Sequence, residues 1–225
     1  MHEVERFLKG FERFRQRYFE AEPERFDALK NGQRPSTLLI GCSDSRVDPA
    51  LLLGCSPGEL FTVRIVGNLV PPYREAPGVV LGVSASIQFA VQELAVSRII
   101  VMGHAGCGGI RALLARPPDA PLRAGDSIGP WVRIAEPARR EVDMALPDAT
   151  PLQRQCACEQ AAILVSLRNL ETFPYIQQAV TEERLTLHGW YFDLQSGTLH
   201  AYSPRADAFL PMVGPLPATA SAGPA

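Results

Sequence analysis

Three short apolar runs constrain this chain more than any other feature: TLLIG at 37–41, LFTVRIV at 60–66 and RIIVMG at 98–103. They are short and mostly apolar, the pattern of strands buried in a parallel sheet. Between the last two, GVVLGVSASIQFAVQELAV (78–96) repeats apolar residues at three and four, which predicts a helix. Strand, crossover helix and strand make the unit of an α/β fold. Further helices are expected from near Gly109 to before Pro117, around 130–146, over 151–171 and over 174–183, with a Pro- and Gly-rich loop at 117–130. LTLHGWYFDLQSGTLHAYS (185–203) reads as two strands about an SG turn. Residues 3–20 read as an amphipathic helix with Val4, Phe7, Leu8, Phe11, Phe14 and Tyr18 on one face, ended by Pro23. That face packs either on the body of its own domain or on a partner subunit. The expected fold is α/β: a mainly parallel central sheet flanked by helices, with an antiparallel edge hairpin and an extended N-terminal helix.

No repeat or linker divides the chain, so one domain is expected over 1–208. Residues 209–225, rich in Pro and Ala, read as a disordered tail. A net charge of −2 without a dense Lys/Arg block argues against nucleic acid and anionic membranes as partners. No run approaches the roughly 18 apolar residues of a membrane span, and charges interrupt the N-terminus too often for a secretory signal. The expected location is the cytoplasm. In that reducing setting, five cysteines point to metal ligation, catalysis or burial rather than a disulfide framework.

Two of the runs lead directly into reactive clusters. CSDSR (42–46) follows the first and GHAGCGG (103–109) the third. Ligands of open α/β sheets bind outside the carboxyl ends of the strands. If these two strands are neighbours, Cys42, His104 and Cys107 converge in one crevice. Two thiolates and an imidazole form a recognised zinc set, which as three protein ligands leaves a position for water. Asp44 is a further oxygen donor nearby. Other readings remain open at this point. CSDSR could be a turn with a buried thiol, or Cys42 a nucleophilic or redox thiol with His104 as base, which leaves Cys107 without a role. A zinc closed by Asp44 would instead be structural, in a non-catalytic scaffold. Cys55, Cys156 and Cys158 read as buried thiols, and His188 and His200 as structural.

CSDSR followed at a distance by HAGCGG resembles the β-class carbonic anhydrases, and the resemblance runs from about Gln33 to the LHGWYFDLQSG hairpin. PGELFTVRIVGNLVPPY (57–73) and GVSASIQFAVQEL (82–94) are similar to the family's connecting regions. The resemblance implies a zinc-dependent lyase that reversibly hydrates CO2 to bicarbonate and a proton through zinc-bound hydroxide. By the same resemblance Cys42, His104 and Cys107 ligate Zn2+, and Asp44 and Arg46 form the Asp–Arg pair beside it. Gln33 would hydrogen-bond substrate or product, from the neighbouring subunit; the amide of Gly108 would contact an anion; Phe61, Val66 and Phe89 would line an apolar CO2 pocket. It also implies an intimate dimer that often pairs further into a tetramer, with the N-terminal helix reaching across. The sequence departs from the family where Ile65 follows Arg64 in place of Asn and where Phe89 replaces a frequent Tyr. Leu39 stands where some bacterial members carry a Trp used in an inhibitory bicarbonate site, so that regulation is not expected. An alternative keeps the fold and zinc but takes CS2 or COS as substrate. Because two thiolates cancel the metal's charge, activity is expected to rise toward alkaline pH.

Overall fold

Leu38, Leu39 and Ile40 of β1 (Thr37–Gly41) have no exposed surface. A strand covered on both faces has no solvent side, which is why the run carries no polar alternation. Each such side chain contributes about 1.5–3 kcal/mol relative to exposure. The computed structural model describes residues 2–75 and 81–213. In it β1 pairs in parallel with β2 (Leu60–Arg64) and with β3 (Arg98–His104), and β3 pairs in parallel with β4 (Thr186–Asp193). β5 (Thr198–Ser203) and β6 (Ala208–Val213) extend the sheet antiparallel, in the order β2-β1-β3-β4-β5-β6. The chain leaves β1 for β2 on one side and returns past it to β3 on the other. A topological switch point therefore lies between the carboxyl ends of β1 and β3.

The helices in chain order are α1 (His2–Arg15), α2 (Pro23–Lys30), α3 (Pro49–Leu53), α4 (Gly82–Gln88), α5 (Gly108–Leu114), α6 (Ile128–Val132), α7 (Glu136–Ala145), α8 (Pro151–Leu170) and α9 (Pro174–Thr181). A capping box starts α8: Thr150 accepts the Gln153 amide, and the Gln153 side chain returns to the Thr150 amide. α8 lies close on the sheet because Gly103 and Gly189 make room. A Cβ there would stand 2.8 Å and 3.0 Å from methyl groups of Ile163.

Several expected boundaries shift, each for a local reason. The N-terminal helix passes at Arg15 into a π-helical turn (Gln16–Ala21), and Pro23 opens α2 rather than merely ending α1; proline suits the first turn because its missing N–H would be unpaired there. β2 ends at Arg64, two residues early, since Val66–Asn68 forms one tight turn with Gly67 at φ 72. Of the expected helix at 78–96, residues 78–80 lie outside the described residues; residues 82–93 are α4 and a π-helical turn over Phe89–Glu93, and 94–96 are no longer helical. The loop expected at 117–130 stops short at α6, where Asp126 accepts the amides of Ile128 and Gly129.

The proposed tail begins too early. Residues 208–213 are β6, with Phe209 packed on Tyr191 and Tyr202 at centroid distances of 6.3 and 5.5 Å. Pro211 made the segment look unstructured, yet an edge strand tolerates proline because one side needs no ladder bond. Residues 214–225 lie outside the described residues. One face of α1 does not pack on its own domain: Val4, Phe7, Leu8 and Phe11 are 58–63% exposed. Beyond it Phe14, with Tyr18 and Phe19 of the π-helical turn, closes on Phe26 of α2, with Phe19 and Phe26 centroids 4.5 Å apart.

Candidate metal centre

Cys42 leaves the end of β1, His104 is the last residue of β3, and Cys107 follows one short turn later. The switch point brings them together although 65 residues separate the two cysteines. All three are at least 96% buried, and their ligand atoms lie within 4.8 Å of one another. The two sulfurs are 3.9 Å apart. Two sulfurs bound at about 2.3 Å to a tetrahedral zinc stand roughly 3.8 Å apart, so the spacing fits. The imidazole is aimed as a ligand. Its Nδ1–H donates to the Ala105 carbonyl at 3.0 Å, which leaves the Nε2 lone pair directed at the cluster. That Nε2 is buried without a hydrogen-bond partner, a situation that costs about 1–3 kcal/mol unless something fills it.

The electrostatics point the same way. The facing Cys107 thiol, with the His104 ring and the amides of Asp44 and Gly67, brings the Cys42 thiol down to about 4 against the opposing pull of burial. Cys107 is pushed up, by the Cys42 sulfur beside it and by burial. Adjacent thiolates repel in a buried site, and a divalent cation between them removes the conflict. The residues present fit zinc.

Asp44 and Arg46 stand at the rim. The guanidinium grips the carboxylate with two bonds, Nε to Oδ1 at 2.9 Å and Nη2 to Oδ2 at 2.7 Å, and the Arg46 amide adds a third at 3.0 Å. Arg46 holds the Asp44 carboxyl well below the usual carboxylate range, against opposing burial. Nη2 also reaches the Gly106 carbonyl at 3.2 Å, tying the loop after β1 to the loop after β3. Asp44 Oδ2 is 3.9 Å from His104 Nε2, so the carboxylate overlooks the cluster.

Three anchors escaped the sequence reading. Arg64, at the end of β2, donates to the carbonyls of Cys42 and Asp44 at 3.2 and 2.7 Å and pairs with Asp48 at 2.9 Å, clamping the CSDSR loop. Trp131 donates its indole N–H to the Val66 carbonyl at 2.8 Å, fixing the turn whose Gly67 amide meets Cys42 Sγ at 3.4 Å. Glu159 on α8 accepts the Cys107 amide at 2.8 Å. Arg64 lies in the second apolar run, whose pattern does not name the targets of its guanidinium; Trp131 and Glu159 carry no spacing signal.

The family profile described as carbonic anhydrase matches residues 37–199. A carbonic anhydrase of Pseudomonas aeruginosa is 38% identical over 203 residues, which cover 90% of this chain and 89% of that protein. The solved β-carbonic anhydrase CcaA aligns with a TM-score of 0.84 at 32% identity, covering 93% of this chain and 99% of that one. The chain belongs to the carbonic anhydrase family, in its β class. Tetrameric β-carbonic anhydrases of Sordaria macrospora align with a TM-score of 0.74 at 28% identity, over 89% of this chain and 95% of that one.

Within this carbonic anhydrase chain the remaining expected residues divide into two groups. Val66 lies in the turn beside Cys42, and Gly108 is the first residue of α5, directly after Cys107. The others stand apart. Gln33 is exposed and precedes the amino end of β1, whereas the thiols lie beyond its carboxyl end. At about 3.3 Å per residue, roughly 16 Å of strand separate those ends. Phe61 stacks on the half-exposed Phe89 with centroids 5.9 Å apart, three residues upstream of Arg64, or about 10 Å along β2. Cys158 is buried as expected, while Cys55 and Cys156 are only half-buried; all five thiols are free. No helix among the described residues is long and apolar enough to cross a membrane.

Proposed function

We propose that this chain catalyses the reversible hydration of CO2 to bicarbonate and a proton as a zinc-dependent lyase, with Cys42, His104 and Cys107 holding the metal. The observation that carries the reading is the buried, unpartnered Nε2 of His104 facing two thiols 3.9 Å apart. When bound there, zinc supplies the Lewis acidity that makes water nucleophilic near neutral pH, behaviour for which carbonic anhydrases are the standard example.

The chain's own groups then do the orienting. Asp44, kept deprotonated by Arg46, accepts a hydrogen bond from the attacking oxygen at Oδ2 and aims a lone pair at the substrate carbon. Arg46 also engages both oxygens of that carboxylate and ties itself to Gly106, holding Asp44 beside the cluster rather than on it, which supports an open position over a structural site. The Gly108 amide, in the first turn of α5, has no acceptor within the helix and suits a bicarbonate oxygen. Val66 supplies apolar wall beside the cluster. Gln33, Phe61 and Phe89 serve the site of a second copy in a dimer or tetramer, a reading supported by the tetrameric Sordaria macrospora relatives and by the exposed apolar face of α1. Free thiols throughout support a cytoplasmic setting.

The test is stopped-flow CO2 hydration by protein of known zinc content, between about pH 6.5 and 9. A zinc-dependent rate that climbs with pH is expected. A zinc-loaded protein inert toward CO2 but active on CS2 or COS would overturn the substrate, and inertness toward all three would overturn the enzyme reading.

A further inference from the structure

α8 places Glu159, Ser166 and Asn169 at spacings of seven and three, on one helical face. Glu159 reaches the loop that carries Cys107, and the other two reach the segment that follows Gly67. Ser166 Oγ donates to the Asn68 carbonyl at 3.1 Å and accepts the Val70 amide at 3.2 Å, and Asn169 donates to the Val70 carbonyl at 2.8 Å. They hold the segment that delivers the Gly67 amide to Cys42.

Glu159 addresses the other loop. It is only 3% exposed, and its carboxylate meets three donors. Oε1 accepts the Cys107 amide at 2.8 Å and the Gln155 side-chain amide at 2.9 Å; Oε2 accepts the Tyr191 hydroxyl at 3.0 Å. Burial pushes the Tyr191 phenol up, so it stays a donor. The Cys107 amide precedes α5, where no carbonyl of that helix can receive it. The link between His104 and Cys107 is a two-residue turn through Gly106 at φ 69, and glycine leaves such a turn many alternatives. An external acceptor therefore decides which way Cys107 faces. An apolar residue could fill the space between α8 and β4, but it would leave the Cys107 amide unpaired.

We propose that Glu159 is a positioning residue for the metal cluster: it fixes the backbone of Cys107, hence the direction of its thiol, and thereby slows metal release. The proposal rests on Cys42, His104 and Cys107 being the zinc ligands. Outer partners that orient a ligand change metal affinity by about 10–100-fold when removed.

The experiment loads the full chain with zinc, measures zinc per chain, and follows release into excess chelator well below the melting temperature. Glu159→Ala is expected to release zinc about 10–100-fold faster than the parent. Glu159→Gln keeps an amide oxygen for Cys107 and is expected to stay within about threefold, a rescue that charge alone would not give. Tyr191→Phe removes one anchor of the carboxylate and is expected to fall between them. Thermal melting of the metal-free proteins is the companion readout, because a merely structural Glu159 would lower melting temperatures and leave release rates alone. Release from Glu159→Ala at the parental rate overturns the proposal, as does Glu159→Gln releasing as fast as the alanine variant. If Glu159→Ala does not fold, parental release from Tyr191→Phe overturns it. A parent protein that takes up no zinc overturns the ligand assignment itself, an outcome separate from these.

Discussion

At the carboxyl end of β1, Cys42 and Asp44 meet His104 and Cys107 within one chain, held by Arg46, Arg64 and Glu159. Around the amino-terminal parts of the same sheet, Gln33 stands exposed and Phe61 pairs with a half-exposed Phe89. Both regions carry residues with a role in the proposed reaction, yet one is closed and the other open. The difference follows from parallel geometry. Strands running the same way bring their following turns together at one end, so residues just after β1 and β3 converge, while residues before them are held a strand's length away. In the proposed reaction a second copy would supply the second set.

Cys107→Ala removes a ligand from the closed end, and zinc and activity are expected to disappear together; stoichiometric zinc in that variant, by elemental analysis, would break the account of that end. Asp44→Asn leaves the thiols and imidazole intact. It is expected to retain zinc while turnover drops on the order of 100-fold or more, and near-normal stopped-flow rates would remove Asp44 from the mechanism.

The open end is tested by mixing. Gln33→Ala alone is expected to lower kcat/KM by about tenfold, the size of one lost hydrogen bond to substrate. Refolding it together with inactive Cys107→Ala should restore a fully active site in mixed oligomers, since an intact Cys107 on one chain would meet an intact Gln33 on the other. Mixtures no more active than Gln33→Ala by itself would place Gln33 in its own chain's site and end the comparison drawn above.

The smallest effect concerns the brace of α8. Asp143 on α7 accepts from Arg154 Nε and Nη2 at 2.6 and 2.8 Å, and Arg154 draws the Asp143 carboxyl below its ordinary value. A depressed folded pKa contributes stability above the unfolded value, near 3.9, that is lost as pH falls through the folded one. The pair is partly exposed, so screening keeps it within about 1 kcal/mol. Asp143→Asn is therefore expected to melt slightly below the parent at neutral pH, with the difference shrinking as the pH is lowered below the unfolded value; a difference that does not shrink with acidification would point to packing instead.

Local pattern and motif carried a large part of this protein. TLLIG matches β1 to the residue, the βαβ unit and the edge hairpin are where the apolar periods put them, and CSDSR and HAGC mark the cluster. What stayed hidden depends on contacts between distant segments. Pro211 disguised β6 because composition does not tell an edge strand from a tail, and the face of α1 could not be assigned because amphipathicity names a buried side without naming its cover.

By itself the sequence determined the strands, the ligand types and their attachment to strand ends, since these follow from residue period and from chemistry within a few positions. Only the tertiary structure decided that β1 and β3 are neighbours, that Arg64 and Glu159 grip the two loops from 22 and 52 residues away, and that His104 turns its Nε2 inward. Those outcomes come from chain crossing and from the satisfaction of buried polar groups, which no local pattern encodes.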